Sequence, residues 1–380
     1  MPEATLPRAM EVNFGRSAPF SIGVEEEFQL LSPESYELVS RFDEVAEAAG
    51  DERVKPELLQ SVLEVATSVG RNVPEAIEEA RELRTRLRDA AAERGTLIAS
   101  AGTHPFSRYE HQDVTEAPRY VGLIEKMGWV AERELIFGLH VHVGMRSGDE
   151  AIWVANALRT WLPELLALSV NSPFWQARDT GLASTRIKVF DPFPRSGLPP
   201  TFASFAHFEA LVERATKTNS FSDYTYIWWD LRPHPRLGTV EVRICDAQTR
   251  IDAVAGLVAL VQSLAATLAE RYDRDGTLPV QPITLVAENK WRAARYGLDA
   301  DLIWLERDEE RPARDALRHL VELAEPAARR LGCAGELALV EEVLRRGTGT
   351  DEQCRIYAES DSLLAVAQFL ARTTTEALSS

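Results

Sequence analysis

The sequence predicts an α+β protein with a helical C-terminal half, and three observations carry that reading. Four stretches (21–31, 138–144, 226–232 and 239–246) alternate apolar and polar residues with the period of a β-strand. The last two are joined by the short turn 233–238, which makes them an antiparallel pair. From Arg250 onward the pattern is almost entirely helical, without a Pro/Ser/Gly-rich linker. The expected organisation is a loose leader at 1–18 followed by one domain over 19–380.

The elements follow in order. The strand Ser21–Leu31 ends in a turn at Ser32-Pro33-Glu34, and Phe42–Ala49 reads as a short helix closed by Gly50. Residues 56–68 satisfy both periods: Glu57, Ser61, Glu64 and Ser68 would line a helix, whereas Val62, Glu64 and Ala66 alternate as a strand. Pro74–Arg94 is a helix with proline at its start, dense Glu/Arg pairs and Gly95 as its stop. Thr96–Thr103 reads as a strand, 118–137 as helical, and Gly138–Gly144 as a strand with His140 and His142 on one face. A long helix is expected over 149–170, then an irregular loop over 171–200 carrying Arg178, Arg186 and Lys188, then a helix over 202–217. After the strand pair, helices are expected at 250–272, 282–296, 310–332, 336–346 and 351–377.

Composition narrows the function. With 380 residues, 45% hydrophobic and 27% charged, the chain is an ordinary globular one. A net charge of −17 argues against a nucleic-acid partner, which would need a basic stripe. The apolar run 253–269 is interrupted by Gln262 and Ser263, so a buried helix is expected rather than a membrane span. The first twenty residues lack an apolar core, so no signal peptide is expected. Cys245, Cys333 and Cys354 are few, odd in number and widely spaced, which suits a reducing, cytoplasmic setting. Cys245 is expected as a core thiol, because no activating base lies beside it.

The chemistry gathers on the polar faces of the strands. Glu25 and Glu27 share a face of the first strand, while Glu26 points the other way and needs a cationic partner among the covering helices. His140/His142, Asp230/Arg232 and Glu241/Arg243 occupy the corresponding faces of the others, and Glu57 and Glu64 can join them. A solvated acidic edge is the plain reading of the first pair alone. Together, carboxylates with histidine suit Mg²⁺ or Mn²⁺, and arginines beside them suit phosphate or carboxylate. That inventory, without a lysine on the face, fits phosphoryl transfer by metal clamping. Neither GxxxxGK[ST] nor GxGxxG is present, so any nucleotide phosphates must be held by metals and side chains. GxSxG and HExxH are absent as well.

The series GVEEEFQLL, KPELLQSVLEVATS, GLHVHVG, SPFWQARDTGLASTR, YIWWDLRPHPRLGTVEVRICD and NKWRAARYGLDA resembles the carboxylate–amine ligases of the glutamate–cysteine ligase type 2 family. The resemblance spans residues 20 to about 300 in order. It implies a curved, mostly antiparallel sheet with helices on its convex side, like the catalytic fold of glutamine synthetase. It also implies ATP-dependent joining of a carboxylate to an amine through an acyl phosphate, with Mg²⁺, release of ADP and phosphate, amino-acid substrates and a homodimer. Carried over by motif, Glu25, Glu27, Glu57, Glu64, His140 and Glu241 become metal ligands, with His142 a neighbour. Arg243 becomes a cation beside the phosphates, and Arg178, Arg186, Lys188 and Arg232 become phosphate or substrate-carboxylate contacts. The resemblance also favours a strand for 61–67. Two other function classes compete: a metal-dependent amide hydrolase on the same face, and a ligand-binding protein with a vestigial site.

Overall fold

The computed structural model describes residues 10–376 apart from 275, 279, 280 and 308. Strand β1 (Ile22–Leu31) leads to helix α1 (Phe42–Ala49), which ends where Gly50 adopts φ 57°, a left-handed conformation that glycine takes without steric cost. Strands β2 (Val54–Pro56) and β3 (Val62–Ala66) follow, so the ambiguous stretch is a strand with Glu57 just before it. Helix α2 (Val73–Glu93) starts where the Asn72 side chain accepts the Glu75 N–H, with Pro74 in its first turn. Then come β4 (Leu97–Ala99), α3 (Pro118–Met127), α4 (Trp129–Glu132) and β5 (Gly138–Gly144).

The helix expected over 149–170 is two helices, α5 (Gly148–Leu158) and α6 (Leu162–Ser169), separated by a 3₁₀ turn at Arg159–Trp161. Pro163 explains the break, because its ring excludes a continuous helix with the residues before it. The loop 171–200 contains a two-stranded ribbon, β6 (Phe174–Trp175) and β7 (Arg178–Asp179), a short helix α7 (Thr185–Phe190), and β8 (Ser196–Gly197). Helix α8 (Phe205–Lys217) starts three residues later than expected because Ser204 caps it.

The strand expected over 226–232 is split. Strand β9 (Trp228–Trp229) pairs in parallel with β8, whereas β10 (Leu231–His234) pairs with β11 (Thr239–Asp246). Asp230 at the break is tied to Lys290 at 2.7 Å. The remaining helices are α9 (Ile251–Arg274), α10 (Ile283–Tyr296), α11 (Ala313–Leu331), α12 (Ala334–Arg346), α13 (Gly349–Ser360) and α14 (Leu363–Glu376). Asp361, at φ 50°, divides the last two, which were expected as one. A hairpin absent from the sequence reading, β12 (Asp301–Trp304) and β13 (Glu309–Pro312), sits between α10 and α11.

The main sheet has seven strands in the order β10-β11-β5-β1-β3-β2, with β4 also on β1, and its pairings are antiparallel. The edge of β1 is shared: β5 pairs with it as far as Glu26, and β4 takes over at Gln29. One face is apolar. Val24, Leu139, Val141, Val143, Val242 and Ile244 join a core built with α9, α2, α5 and α6. Helix α9 passes for a membrane span by length and composition, yet 89% of its most apolar window is buried inside the protein. Cys245 is a core residue, and burial pushes its thiol up to about 12.

Residues 13–18, expected as part of a loose leader, are held to the sheet. The Asn13 and Gly15 amides donate to Pro235 O and Met145 O, both at 2.9 Å, and the Phe14 ring meets Phe205 edge-on. Residues 1–9 lie outside the described part of the chain.

The cation that Glu26 requires is Arg84 of α2. Its guanidinium donates to both Glu26 oxygens, at 3.1 and 2.5 Å, and to the carbonyls of Thr249 and Gln248 at 3.0 and 2.8 Å. Both side chains are essentially inaccessible. Removing one partner of such a pair strands a buried charge. Arg84→Met is expected to lower unfolding free energy by roughly 3–5 kcal/mol in urea titration at pH 7; a loss under about 1 kcal/mol would contradict this reading.

Candidate active site

The open face of the sheet is organised in cross-strand rows. Opposite residues on antiparallel strands place their side chains together, so the register can be read directly. Arg232, Glu241 and His142 form one row, Glu25 faces His140 in the next, and Glu27 faces Glu64 in the third. Two donor groups result. Glu25, His140 and Glu241 bring one ligand atom each within 4.8 Å of one another, as do Glu27, Glu64 and His140. His140 is common to both.

Hydrogen bonds fix the first group. The Glu25 carboxylate meets His140 Nδ1 at 3.0 Å and His142 Nδ1 meets Thr239 Oγ1 at 3.0 Å, while His142 Nε2 lies 3.3 Å from Glu25, an ion-pair contact without hydrogen-bond geometry. Glu241 is buried and receives Arg232 Nε at 2.5 Å, with Arg243 as a second close partner. Burial opposes ionisation of Glu25 and Glu241, but the surrounding cations outweigh it. His142 and then His140 hold Glu25 well below the usual carboxylate range, while Arg232 and then Arg243 do the same for Glu241. Burial also works against the charge on His142, yet Glu25 and Glu241 raise it. His140 is lowered by burial and by Arg243.

The second group is electrostatically the opposite. Glu27, Glu57 and Glu134 line a narrow cleft with His140, Arg186 and Arg243. Burial and then Glu27 push Glu57 up to about 8. Burial and then Glu25 raise Glu64 well above its ordinary value, and burial with Glu57 and Glu27 does the same for Glu134. Burial and neighbouring acids thus disfavour the charged form of these carboxyls, a condition that a divalent cation relieves. An oxygen-rich set with one imidazole suits Mg²⁺ or Mn²⁺. The enclosed part of the cleft, about 40 Å³, is on the scale of an ion or a phosphate group rather than a whole nucleotide.

Arg186 reaches this cleft through a buried anchor. Asp246 accepts the Asn171 amide at 2.8 Å and the hydroxyls of Ser172 and Ser184 at 2.7 and 2.9 Å. Ser172 Oγ in turn accepts the Arg186 amide at 3.1 Å. The Arg186 guanidinium then donates to the Ile244 and Arg243 carbonyls, both at 3.2 Å. Gly138 leaves room for it: a Cβ there would lie 2.5 Å from Arg186 Nη2 and 3.0 Å from His140 Nε2. The Nε atoms of Arg186 and Arg243 are buried without an acceptor among the described residues, an arrangement that an oxyanion would satisfy.

Of the residues named from sequence, Glu25, Glu27, Glu57, Glu64, His140, His142, Arg186, Arg232, Glu241 and Arg243 are brought together on this face. Two are not. Arg178 is exposed on the β6–β7 ribbon, outside the cleft. Lys188 turns to Asp191 at 2.7 Å and to the Trp291 ring, the far side of α7 from Arg186. The helical period separates the two side chains, which spacing in an apparent loop did not reveal. Glu134 was missed because it lies in an irregular segment between α4 and β5 with no alternation to mark it. Lys55, opposite Glu64 on β2, is a lysine at the rim of a face expected to have none.

By comparison with known proteins, the chain is a carbon–nitrogen ligase. The model of glutamate–cysteine ligase family 2 matches residues 21–368, and the chain belongs to that family. A Rubrobacter xylanophilus protein named "Putative glutamate--cysteine ligase 2-1" is 44% identical over 97% of this chain and 98% of its own length. A Herpetosiphon aurantiacus relative, "Putative glutamate--cysteine ligase 2", is 42% identical, with 94% of each chain covered. Among solved structures, the glutamate–cysteine ligase of Francisella tularensis in complex with AMP shares the fold, with a TM-score of 0.72 over 96% of this chain and 90% of that one, at 14% identity. A bifunctional glutathione synthetase from Pasteurella multocida aligns with a TM-score of 0.69 at 13% identity, over 94% of this chain and 52% of that one.

The raised carboxyls set a pH dependence. A carboxyl whose folded pKa lies above its unfolded value of 4.5 contributes stability that is lost as pH rises toward the folded value, about 8 for Glu57. The lowered histidines His104, His140 and His234 contribute a slope of opposite sign at lower pH, whereas the raised His142 adds one of the same sign above 6.5, so the Glu57 share is read from the difference between parent and Glu57→Gln. In EDTA, unfolding free energy is expected to fall by roughly 1 kcal/mol or more between pH 6.5 and 8, and Glu57→Gln to flatten that slope. A slope unchanged in the variant would count against the assignment.

Proposed function

We propose that this protein is an ATP-dependent carboxylate–amine ligase that forms an amide through an acyl phosphate and releases ADP and phosphate. The observation that supports this most directly is the convergence, across β1, β3, β5 and β11, of two carboxylate–histidine groups with Arg243 and Arg186. Glu27, Glu64 and His140 would hold one Mg²⁺ or Mn²⁺, with Glu57 beside them; Glu25 and Glu241 would hold a second through carboxylate oxygens, since the single lone pair of a neutral imidazole serves one ion. A divalent ion bound there supplies neutralising charge to phosphate oxygens.

The chain's own residues do the rest. Arg243, kept charged by Glu241, and Arg186, anchored by Asp246, offer buried N–H groups to an oxyanion. They stabilise charge on the γ-phosphoryl oxygens while the substrate carboxylate attacks in line, and the amine then displaces phosphate from the acyl phosphate. Arg232 supports Glu241 and reaches the Ile227 carbonyl at 2.6 Å, so it acts as a positioning residue. The substrates are amino acids, the compartment is the cytoplasm, and the assembly is a homodimer; the three free cysteines are compatible with a reducing setting.

The test is ADP release with Mg-ATP against a panel of amino-acid pairs, with hydroxylamine to trap an acyl phosphate as a hydroxamate. Glu25→Ala and Glu241→Ala are expected to abolish ADP release while circular dichroism stays native, and Arg243→Ala to lower it by ~10³-fold or more. Arg178→Ala should leave it unchanged. Full turnover by either glutamate variant would defeat the proposal. Amide hydrolysis without nucleotide would favour a hydrolase, and ATP binding without turnover a binding protein.

A further inference from the structure

A well-formed cavity lies away from the carboxylate face. It holds about 520 Å³ between α6, α9, α11 and the β12–β13 hairpin, within the size range of small-molecule sites. Its floor is apolar: Leu268, Leu302 and Leu320 are each at most 3% exposed. Its walls carry Arg271, Arg274 and Arg311. None of these three has a carboxylate within ion-pair distance among the described residues, although Glu306 also lines the cavity. That is unusual in a chain of net charge −17 whose other arginines are so often paired, as in Arg53–Asp51, Arg250–Glu352 and Arg346–Asp252.

Two further observations point inward. Glu164 Oε2 is buried at the cavity with no hydrogen-bond partner, and burial pushes the Glu164 carboxyl up to about 7, so near neutrality it offers a proton as well as an oxygen. Trp304 on β12 carries two guanidinium groups over its ring, Arg307 at 4.3 Å and Arg311 at 4.8 Å. Positive charge is thus concentrated above an apolar floor, with a hydrogen-bonding carboxyl within.

We propose that this cavity is a second ligand site, separate from the ligase site, for an organic anion with an apolar body and an oxyanion head group. The body would rest on the leucine floor, and the head on Arg271, Arg274 and Arg311. The fit does not distinguish a carboxylate head from a phosphate, so probes of both kinds are needed.

The experiment is calorimetric titration of the full chain with 1-naphthoate, 1-naphthyl phosphate and neutral 1-naphthalenemethanol. Saturable binding of at least one anion, with weaker binding of the neutral probe, is expected. The double variant Arg271→Glu/Arg274→Glu should weaken the anion at least tenfold while leaving the neutral probe and the melting temperature unchanged. Glu25→Ala should bind the anion as the parent does, which separates this site from the ligase site whatever becomes of the ligase assignment. No binding by either anion up to millimolar concentration, equal binding by the double variant, or loss of binding in Glu25→Ala would each overturn the proposal.

Discussion

The buried pair between Glu26 and Arg84 decides which way the central strand faces. Three consecutive glutamates on a strand must divide between two faces, and Glu26 takes the one packed against α2 and α9. Arg84 takes Glu26 with both of its oxygens and is itself held by two carbonyls of the segment after β11. A slip of one residue would turn Glu25 and Glu27 into the core and Glu26 out of it, leaving two acids and an arginine buried without their partners. The pair therefore adds specificity to a register that Val24 and Phe28 support by burial. Everything on the open face inherits that register, because His140, His142 and Glu64 are placed by pairing with β1 or with its neighbour.

Once the face is set, its acids behave in two ways. Glu25 and Glu241 lie among histidines and arginines and are held below the ordinary carboxylate range, whereas Glu57, Glu64 and Glu134 are buried near other acids and raised above it. The same residue type thus serves as a charged anchor on one side and as a set of carboxyls that resist ionisation on the other, with His140 between them. The asymmetry comes from the partners at hand: Arg232 and Arg243 bear on Glu241, and His142 and His140 on Glu25.

The open face was legible in the sequence where it rests on alternation. Strands β5 and β11 begin and end where the period-two pattern does, and their His and Glu/Arg positions follow at once. Residues delivered from helices and loops were not legible. The choice of Arg84 as partner for Glu26, or of Lys290 for Asp230, depends on how α2 and α10 pack, and each helix carries several equivalent cations. Glu134 comes from a stretch with no period, while Lys188 and Arg186 lie on a short helix that reads as loop because of the glycines and prolines around it. The broken elements share one cause: a single residue, such as Pro163 or Asp361, outweighs a long favourable pattern.

Glu27 carries a consequence of its own. One of its oxygens accepts the Gly138 amide at 2.6 Å, at the point where the edge of β1 passes from β5 to β4. That oxygen is committed to pinning the first residue of β5, so the carboxylate cannot rotate freely to follow a ligand. Its remaining oxygen is aimed by the backbone rather than by side-chain preference. The spacing of this donor from His140, two residues along the strand that it pins, is thereby set as a distance in the sheet itself, as rigid as the ladder that carries it.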